Sequence, residues 1–332
     1  MLRTLSRLAR RRPLQGGAVT ALVLGLLLWW VLPLGKPSPS GSLTFSTGVR
    51  SGVYERYGER LEDALAKDMP QVSIRLRTSE GSQQNIERVA TGKADFTIAT
   101  ADSVATYLQS GKPGGKRLRG SARLYDDYVQ LVVPRESVVR KVADLRGMRV
   151  GVGQEGSGVR LVADRLMKAA GIDPVNGVVP NPAGIDTMPA LLESGRLDAF
   201  FWSGGLPTSA VQDLSQRFAI RLVPLEDSLI TNLQAAGGST RYYRSAVMPA
   251  DAYAEAQQGL AVPTVAVANL LVTADRTDPV LAEAFTRTVI DSRDRIGHEV
   301  HAAQLVDLRT AIYTDPLPLH EGAARYYRSA KP

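Results

Sequence analysis

The chain has 332 residues, of which 44% are hydrophobic and none is cysteine, and its formal net charge is +7. This length predicts two domains, and the lack of cysteine excludes disulfides, thiolate metal sites, a cysteine nucleophile and lipid attachment to an N-terminal cysteine. Residues 1–40 hold six basic and no acidic side chains, so the remaining body has a net charge of only +1. Because a phosphate-binding surface needs clustered basic residues, we expect no nucleic-acid partner.

An apolar run at residues 18–34 follows three consecutive arginines. A basic stretch before an apolar core is typical of an export signal. The run contains a Trp pair that suits a membrane interface, and no Ala-x-Ala cleavage motif follows, the nearest substitute being Ser38-Pro39-Ser40. We therefore expect a periplasmic or other extracytoplasmic location. Cleavage of residues 1–40, and their retention as an inner-membrane anchor and linker, both stay open.

The next part of the chain alternates predicted strands and helices. Strands at 43–47, 72–76 and 94–99 each precede a helix, at 53–68, at 83–91 and from about Asp102 onward. This order predicts an α/β fold with a mainly parallel sheet, in which ligands bind at the carboxyl ends of the strands. Polar turns at 47–52, 79–82 and 100–103 lie at those ends, so we predict that they converge on one cleft.

The remaining chain repeats this plan. We predict a solvated loop at 111–120, strands at 128–133, 175–179, 197–202, 220–225 and 264–273, a strand, glycine-rich turn and helix over 147–166, and helices at 188–194, 209–216, 279–296 and 302–308. In both halves a Gly, a basic residue and an Asp precede a strand, at 92–95 and 195–198. Two halves on one plan predict two similar lobes. We place lobe I at 41–133 and 263–332, and lobe II at 134–262.

The turn Gly156-Ser157-Gly158 is a candidate anion site. A helix that begins there presents unpaired backbone N–H groups and the positive end of its dipole, beside a serine hydroxyl. The same letters contain Gly151-x-Gly153-x-x-Gly156, the dinucleotide fingerprint, which would make the protein an oxidoreductase. That fingerprint needs an acidic residue at the end of the next strand, whereas Asp173 precedes the strand at 175–179. A turn without any ligand is the third reading.

Several short segments match a known family in order and spacing. They are Thr47-Gly48-x-x-Ser51-Gly52-Val53-Tyr54, Gly81-Ser82 with Asn85, Gly92-Lys93-Ala94-Asp95-Phe96, Asp144-Leu145-Arg146-Gly147 before Gly156-Ser157-Gly158, Gly204-Gly205-Leu206-Pro207-Thr208, and residues 318–327. Over residues 43–329 the chain resembles the TAXI group of solute receptors of tripartite ATP-independent periplasmic (TRAP) transporters. The resemblance implies a two-lobed type II periplasmic-binding-protein fold, a cleft that closes on one small solute, and delivery to TRAP permease membrane subunits. The chain departs from the family pattern at Val49-Arg50-Ser51 and Thr100.

The predicted ligand-binding residues come from these turns and from nearby aromatic and charged side chains. They are Thr47, Gly48, Arg50, Ser51, Tyr54, Gly81, Ser82, Asn85, Thr100, Asp102, Gly156, Ser157, Gly158, Trp202, Gly204, Gly205, Pro207 and Thr208. Arg50 pairs with a second carboxylate or is a solvated loop residue, and Tyr54 and Trp202 are pocket walls or core aromatics. Asp102 receives the ammonium group of an amino acid or caps a helix.

We therefore predict a receptor that captures a small anionic or zwitterionic solute, an amino acid or dicarboxylate of the glutamate type. A membrane-anchored ligand sensor and a dinucleotide-binding enzyme remain alternatives. Catalysis is not expected, because the chain has no Gly-x-Ser-x-Gly or His-Glu-x-x-His motif. His298-x-x-His301 has no third metal ligand nearby, and His320 belongs to a family-like motif, so we expect neither a metal nor a cofactor.

Overall fold

The computed structural model describes residues 39–330, so the predicted export signal or anchor at 18–34 lies outside the described residues. The strands are β1 Gly41–Ser46, β2 Val72–Arg77, β3 Phe96–Thr100, β4 Leu118–Pro134, β5 Arg149–Gly151, β6 Val179–Asn181, β7 Ala199–Gly204, β8 Ile220–Val223, β9 Tyr243–Met248 and β10 Val262–Ala274. The α-helices are α1 Val53–Asp68, α2 Ser82–Ala90, α3 Ala101–Gln109, α4 Gly158–Ala169, α5 Met188–Glu193, α6 Ser209–Arg217, α7 Asp227–Ala235, α8 Ala254–Gln257, α9 Pro279–Asp291, α10 Arg293–Gly297, α11 Leu308–Ala311 and α12 Glu321–Ser329. Within this range no helix combines the length and apolar character that a membrane span requires.

The first half of the sheet has the strand order β2-β1-β3-β10. β1 runs parallel to β2 and β3, as the βαβα order predicts. Alternation along β1 buries Leu43 and Phe45, and α1 packs Tyr57 and Leu61 into the same core. The predicted strands and helices of this half are therefore confirmed, and the helix predicted at 53–68 has those bounds in the structure.

The two longest strands, β4 and β10, pair antiparallel and join the two halves of the sheet. β10 also pairs with β3 of the first half, whereas β4 pairs with β7 and β8 of the second half. The pairing shifts register between Ala268 and Leu270 and again between Leu271 and Val272. Such irregularities bend a strand, so the connection between the halves bends at the middle of both strands.

The second half of the sheet continues through β4-β7-β5-β6. Here β5 lies between β6 and β7 and is parallel to both. The glycine-rich turn after β5 leads into α4, as predicted. This half therefore repeats the strand, turn and helix plan of the first half.

Several predicted elements differ from the structure. The loop predicted at 111–120 contains a 3₁₀ turn, Gly115–Arg117, and the start of β4, because charged residues interrupt the apolar pattern of that strand. The strand predicted at 175–179 begins only at its last residue, and Val175 is exposed. The helix predicted at 279–296 is divided at Ser292, and the helix predicted at 302–308 is a 3₁₀ turn, His301–Leu305, that ends before α11. Helices α7, α8 and α12 and strand β9 have no counterpart among the predicted elements.

The apolar interior is divided into two main cores. One core contains buried residues from Val129 to Val267 and fills the second half of the sheet. The other contains residues up to Tyr125 together with residues from Leu271 onward, and fills the first half. A third, smaller cluster lies beside the first half. Because β4 and β10 contribute to both main cores, they are the elements through which one half is anchored to the other.

Candidate functional site

A cavity of about 580 Å³, including its mouth, lies between the two halves of the sheet. The predicted site residues in its lining are Gly48, Tyr54, Gly81, Ser82, Thr100, Ser157, Gly158, Trp202 and Gly204. The other lining residues are Val49, Gly52, Val53, Glu80, Asp127, Gly153, Gln154, Val159, Gly184, Met188 and Ser203. Residues of the three turns of the first half therefore meet the turn before α4 in one cavity, as the strand order predicts.

The N-termini of α2 and α4 face each other at this cavity. A Cβ atom on Gly158 would lie 3.1 Å from Ser82 Oγ, and one on Gly81 would lie 3.3 Å from Ser157 Cα. Among the described residues, no acceptor receives a hydrogen bond from the N–H groups of Ser82, Gly158 or Val159. Two helix N-termini with unused N–H groups provide donors and positive dipole ends for a carboxylate.

The serine hydroxyls at these N-termini have other partners. Ser157 Oγ donates to the Gln154 carbonyl over 2.6 Å and accepts from the Arg160 N–H over 3.0 Å, which caps α4. Ser82 Oγ accepts from the Thr100 N–H over 3.2 Å. The prediction that a serine hydroxyl beside the turn adds a donor for an anion is therefore not met at Ser157, because its hydrogen already bonds within the chain. The backbone N–H groups remain for that role.

A chain of hydrogen bonds connects two residues of the lining, Ser82 and Asp127. Ser82 Oγ lies 3.2 Å from the Tyr54 hydroxyl, and that hydroxyl donates to Asn269 Oδ1. Because a phenol has one hydrogen, Ser82 is the donor to Tyr54. Asn269 Nδ2 then donates to Asp127 Oδ1 over 2.6 Å. Asp127 therefore ends the chain as an acceptor.

Asp127 has an unusual electrostatic environment. It lies on β4 and is 2% exposed, and no Lys, Arg or His forms an ion pair with it in the described part of the chain. The pKa of Asp127 is raised to about 7, chiefly by burial and also by the nearby carboxylates of Asp126 and Asp102, while the hydrogen bond from Asn269 and the neighbouring Tyr54 hydroxyl oppose the rise. Burial together with Asp127 also raises the pKa of Tyr54 well above 10, so Tyr54 stays neutral.

One part of the cavity wall is apolar. Val49, Val53, Val159 and Met188 line it together with Trp202. The indole N–H of Trp202 donates to Thr208 Oγ1 over 2.9 Å, so the ring presents its carbon atoms to the cavity without an unsatisfied donor. The lining therefore combines a buried carboxylate, two helix N-termini with unused N–H groups and an apolar wall.

The other predicted site residues lie outside the cavity lining. Thr47 and Asn85 are buried behind it, where Asn85 bonds Ser46 and two backbone carbonyls. Arg50 is exposed, and Gly156 lies just outside the lining, where its carbonyl accepts from the Gln84 N–H over 3.0 Å. A separate, smaller crevice contains Ser51, Gly205, Pro207 and Thr208. A direct ligand contact by these residues stays a prediction.

Asp102 is one of these residues and has internal partners. Its Oδ2 accepts from Arg165 Nη1 over 3.2 Å and from the Tyr243 hydroxyl over 2.6 Å. It does not cap α3, because the N-cap residue is Thr100. The helix-cap role is therefore wrong, and a contact between Asp102 and an ammonium group stays a prediction.

Sequence reasoning missed Asp127, Asn269, Glu80, Gln154 and Met188. The strand predicted at 128–133 began one residue after Asp127, so this acid was placed outside the sheet. A carboxylate within an apolar strand is a usable signal, because ionised residues are rarely buried without a partner. Asn269 is a polar residue within the apolar strand predicted at 264–273, so it gave a similar signal.

Solved structures share this architecture at low sequence identity. A protein of Bordetella bronchiseptica RB50 matches with a TM-score of 0.50 and 16% identity, over 90% of this chain and 92% of that chain. An ancestral arginine-binding protein bound to arginine matches with a TM-score of 0.50 and 16% identity, over 78% of this chain and 97% of that chain. The periplasmic aliphatic sulphonate binding protein SsuA from Escherichia coli matches with a TM-score of 0.46 and 15% identity, over 90% of this chain and 80% of that chain. The predicted two-lobed type II periplasmic-binding-protein fold is confirmed.

A match to a family model covers almost all of the described residues. It extends over residues 45–330, which include every strand from β2 to β10 and all the helices that surround the cavity. The resemblance to the TAXI group over residues 43–329 is a more specific assignment than this family, and it stays a prediction. The chain belongs to the NMT1-like family.

Proposed function

We propose that this protein is an extracytoplasmic receptor that captures a small carboxylate or amino acid between two lobes. The observation that carries this proposal is the convergence of two helix N-termini and a buried carboxylate on one cavity between the halves of the sheet. A cavity of this kind, with an apolar wall and a few convergent polar groups, is typical of a small-molecule site. Membership in the NMT1-like family and the periplasmic-binding-protein fold support the receptor role.

The lobes of this receptor are residues 41–133 with 263–332, and residues 134–262. The division of the interior supports these bounds, because one main core lies almost wholly between Val129 and Val267. β4 and β10 connect the lobes, and their shifts of register suit a hinge. Contacts between the lobes include Gln83 Nε2 to the Ser157 carbonyl at 2.7 Å and Arg56 Nη1 to Ser209 Oγ at 2.9 Å. These contacts suit a closed form that holds its solute.

The receptor delivers its solute to the membrane subunits of a TRAP permease. This part of the proposal depends on the TAXI resemblance and on the export signal or anchor at residues 18–34. A signal at the N-terminus and a solute-binding body suit transport across the inner membrane. We propose no catalytic role, because the polar groups at the cavity are donors and carboxylates without an activated nucleophile.

Thermal unfolding of the full chain with a panel of amino acids, dicarboxylates, keto acids and NAD tests the receptor role. A solute that binds the native state raises the melting temperature by mass action. Val49→Trp fills the cavity and should abolish the rise, whereas Val175→Trp, the same change at an exposed site, should keep it. A rise with NAD alone, or a rise that Val49→Trp leaves intact, contradicts the proposal.

A further inference from the structure

The charges of the cavity restrict the solute further, if the protein is the receptor proposed above. The lining contains two carboxylates, Glu80 and Asp127, and among the described residues it contains no Arg, Lys or His. A second carboxylate on the solute would enter this site without a cation to pair with it. Burying an unpaired charge is costly, so the lining disfavours dicarboxylates and glutamate.

Asp127 lacks the cation that its neighbour on the same strand has. Asp126 forms an ion pair with Arg123 Nη2 at 2.6 Å and another with Arg244. Asp127 lines the cavity, and neither of these arginines forms an ion pair with it. On the cavity side Asp127 accepts from the neutral amide of Asn269, and this leaves its negative charge uncompensated.

The hydrogen bonds around Asp127 leave one of its two carboxylate oxygens available as an acceptor. Ser82, Tyr54 and Asn269 each pass a hydrogen toward Asp127, and Asn269 holds the Oδ1 atom. In the described part of the chain no donor bonds its Oδ2 atom. A protonated amine supplies both the hydrogens and the positive charge that this carboxylate lacks.

The carboxylate of the same solute has its own donors. The unused N–H groups of Ser82, Gly158 and Val159 lie at the meeting point of α2 and α4. Ser203 also lines the cavity, and its buried hydroxyl has no partner among the described residues. Val49, Val53, Val159, Met188 and Trp202 then leave an apolar wall for the remainder of the solute.

We propose that the solute is an amino acid with a neutral, apolar side chain, whose ammonium group binds Asp127 and whose carboxylate binds the N-termini of α2 and α4. Each charge of such a zwitterion meets an opposite charge or a dipole end, and its side chain meets the apolar wall. This differs from the glutamate or dicarboxylate ligand that the sequence predicts, because Arg50, the expected partner of a second carboxylate, lies outside the lining.

Titration calorimetry of the full chain tests the assignment with leucine, valine and phenylalanine, and with glutamate and succinate. Leucine analogues that lack one group complete the panel: 4-methylpentanoate has no amine and 3-methylbutylamine has no carboxylate. We expect a neutral amino acid to bind at least about 30-fold more tightly than either analogue, because each analogue forfeits one set of charge-assisted hydrogen bonds. Glutamate and succinate should bind more weakly than the neutral amino acids.

A pair of matched variants assigns the ammonium group. Asp127→Asn keeps the shape of the side chain and should weaken binding of the neutral amino acid by about 100-fold. Asp126→Asn makes the same change at the neighbouring position, which does not line the cavity, and should weaken binding far less, because Asp126 acts on Asp127 through its charge alone. Circular dichroism of both variants shows whether they are folded. The leucine analogues test the role of the ammonium group on the unaltered protein.

The outcomes separate this inference from the receptor proposal. Tighter binding of glutamate or succinate than of neutral amino acids, lost in Val49→Trp, overturns the inference and keeps the receptor role. Equal binding of 4-methylpentanoate overturns the role of Asp127, as does full affinity in Asp127→Asn, and equal binding of 3-methylbutylamine overturns the carboxylate site. A chain that binds no member of the panel contradicts both proposals.

Discussion

Two aspartates in this protein are buried to the same degree but have different partners. Asp102 is 1% exposed and Asp127 is 2% exposed. Asp102 accepts from the guanidinium of Arg165 and the hydroxyl of Tyr243, so its charge is compensated within the chain. Asp127 accepts from the amide of Asn269 and has no cation beside it among the described residues.

The difference separates a structural carboxylate from a binding one. Arg165 is on α4 and Asp102 is on α3, so their ion pair crosses between the two proposed lobes. The guanidinium also donates to Thr106 and Ser239, and it lies over the ring of Tyr243. Through these bonds of Arg165 the ion pair holds the lobes together, although Asp102 Oδ1 has no partner among the described residues, whereas Asp127 has no cation beside it at all.

The largest expected effect comes from removing the cation of Asp102. Arg165→Met leaves that carboxylate buried without a partner and should lower the free energy of unfolding by about 3 kcal/mol. Arg160→Met is the control, because Arg160 pairs with Asp164 at a more exposed position on the same helix and should cost less than about 1 kcal/mol. Denaturant unfolding measures both variants. Equal losses would show that the pair between the lobes is worth no more than a surface pair.

Removing the charge of Asp127 is expected to stabilise the protein when no solute is bound. Its pKa is about 7 in the folded protein against an ordinary value of 3.8, so the penalty for ionisation is absent below pH 4, grows between pH 4 and pH 7, and is constant above. Asp127→Asn removes this penalty and should raise the free energy of unfolding by about 2–4 kcal/mol at pH 8. The gain should vanish near pH 4. Denaturant unfolding at both pH values checks this, and an equal gain at both would contradict the assigned cause.

Solute affinity should also depend on the protonation of Asp127. Its surroundings include the carboxylates of Asp126 and Asp102 and the hydroxyls of Tyr54 and Tyr125. Burial raises the pKa of both tyrosines well above 10, so they stay neutral throughout the range. Protonation of Asp127 removes the partner of the ammonium group, and the affinity for a neutral amino acid should fall about 100-fold from pH 8 to pH 5. Calorimetry of Asp127→Asn should give a weak affinity with little dependence on pH, and a steep dependence there would place the titrating group elsewhere.

The smallest expected effect concerns a single contact between the lobes. Gln83→Leu removes the hydrogen bond from Nε2 to the Ser157 carbonyl and should weaken solute binding by about 1 kcal/mol, because the closed form loses one neutral hydrogen bond. Gln84→Leu is the control, because the side chain of Gln84 bonds Glu80 within its own lobe. A larger loss of affinity in Gln83→Leu than in Gln84→Leu would show that contacts between the lobes other than the Asp102 ion pair also favour closure. Equal losses would mean that the Gln83 contact does not favour closure.

Local features of the site were predictable because they depend on neighbours in sequence. The turn at Gly156-Ser157-Gly158, the helix that follows it and the turn at Gly81-Ser82 lie where the apolar periodicity and the glycines indicate. Their convergence also followed from the strand order, since parallel strands end at one edge of a sheet. Which hydroxyls remain free was not predictable, because Ser157 bonds the Gln154 carbonyl through the geometry of the turn.

The sequence by itself determined the alternation of strands and helices, the two repeated halves and the turns that surround the cleft, since these depend on periodicity and on residues close together in the chain. Only the tertiary structure decided which buried carboxylate faces the cavity. Asp127 meets Asn269 across 142 positions, and Asp102 meets Arg165 across 63. A side chain has the same chemistry wherever it lies, but its charge is compensated only by groups that the pairing of β4 with β10, and the approach of α3 to α4, bring within hydrogen-bond distance.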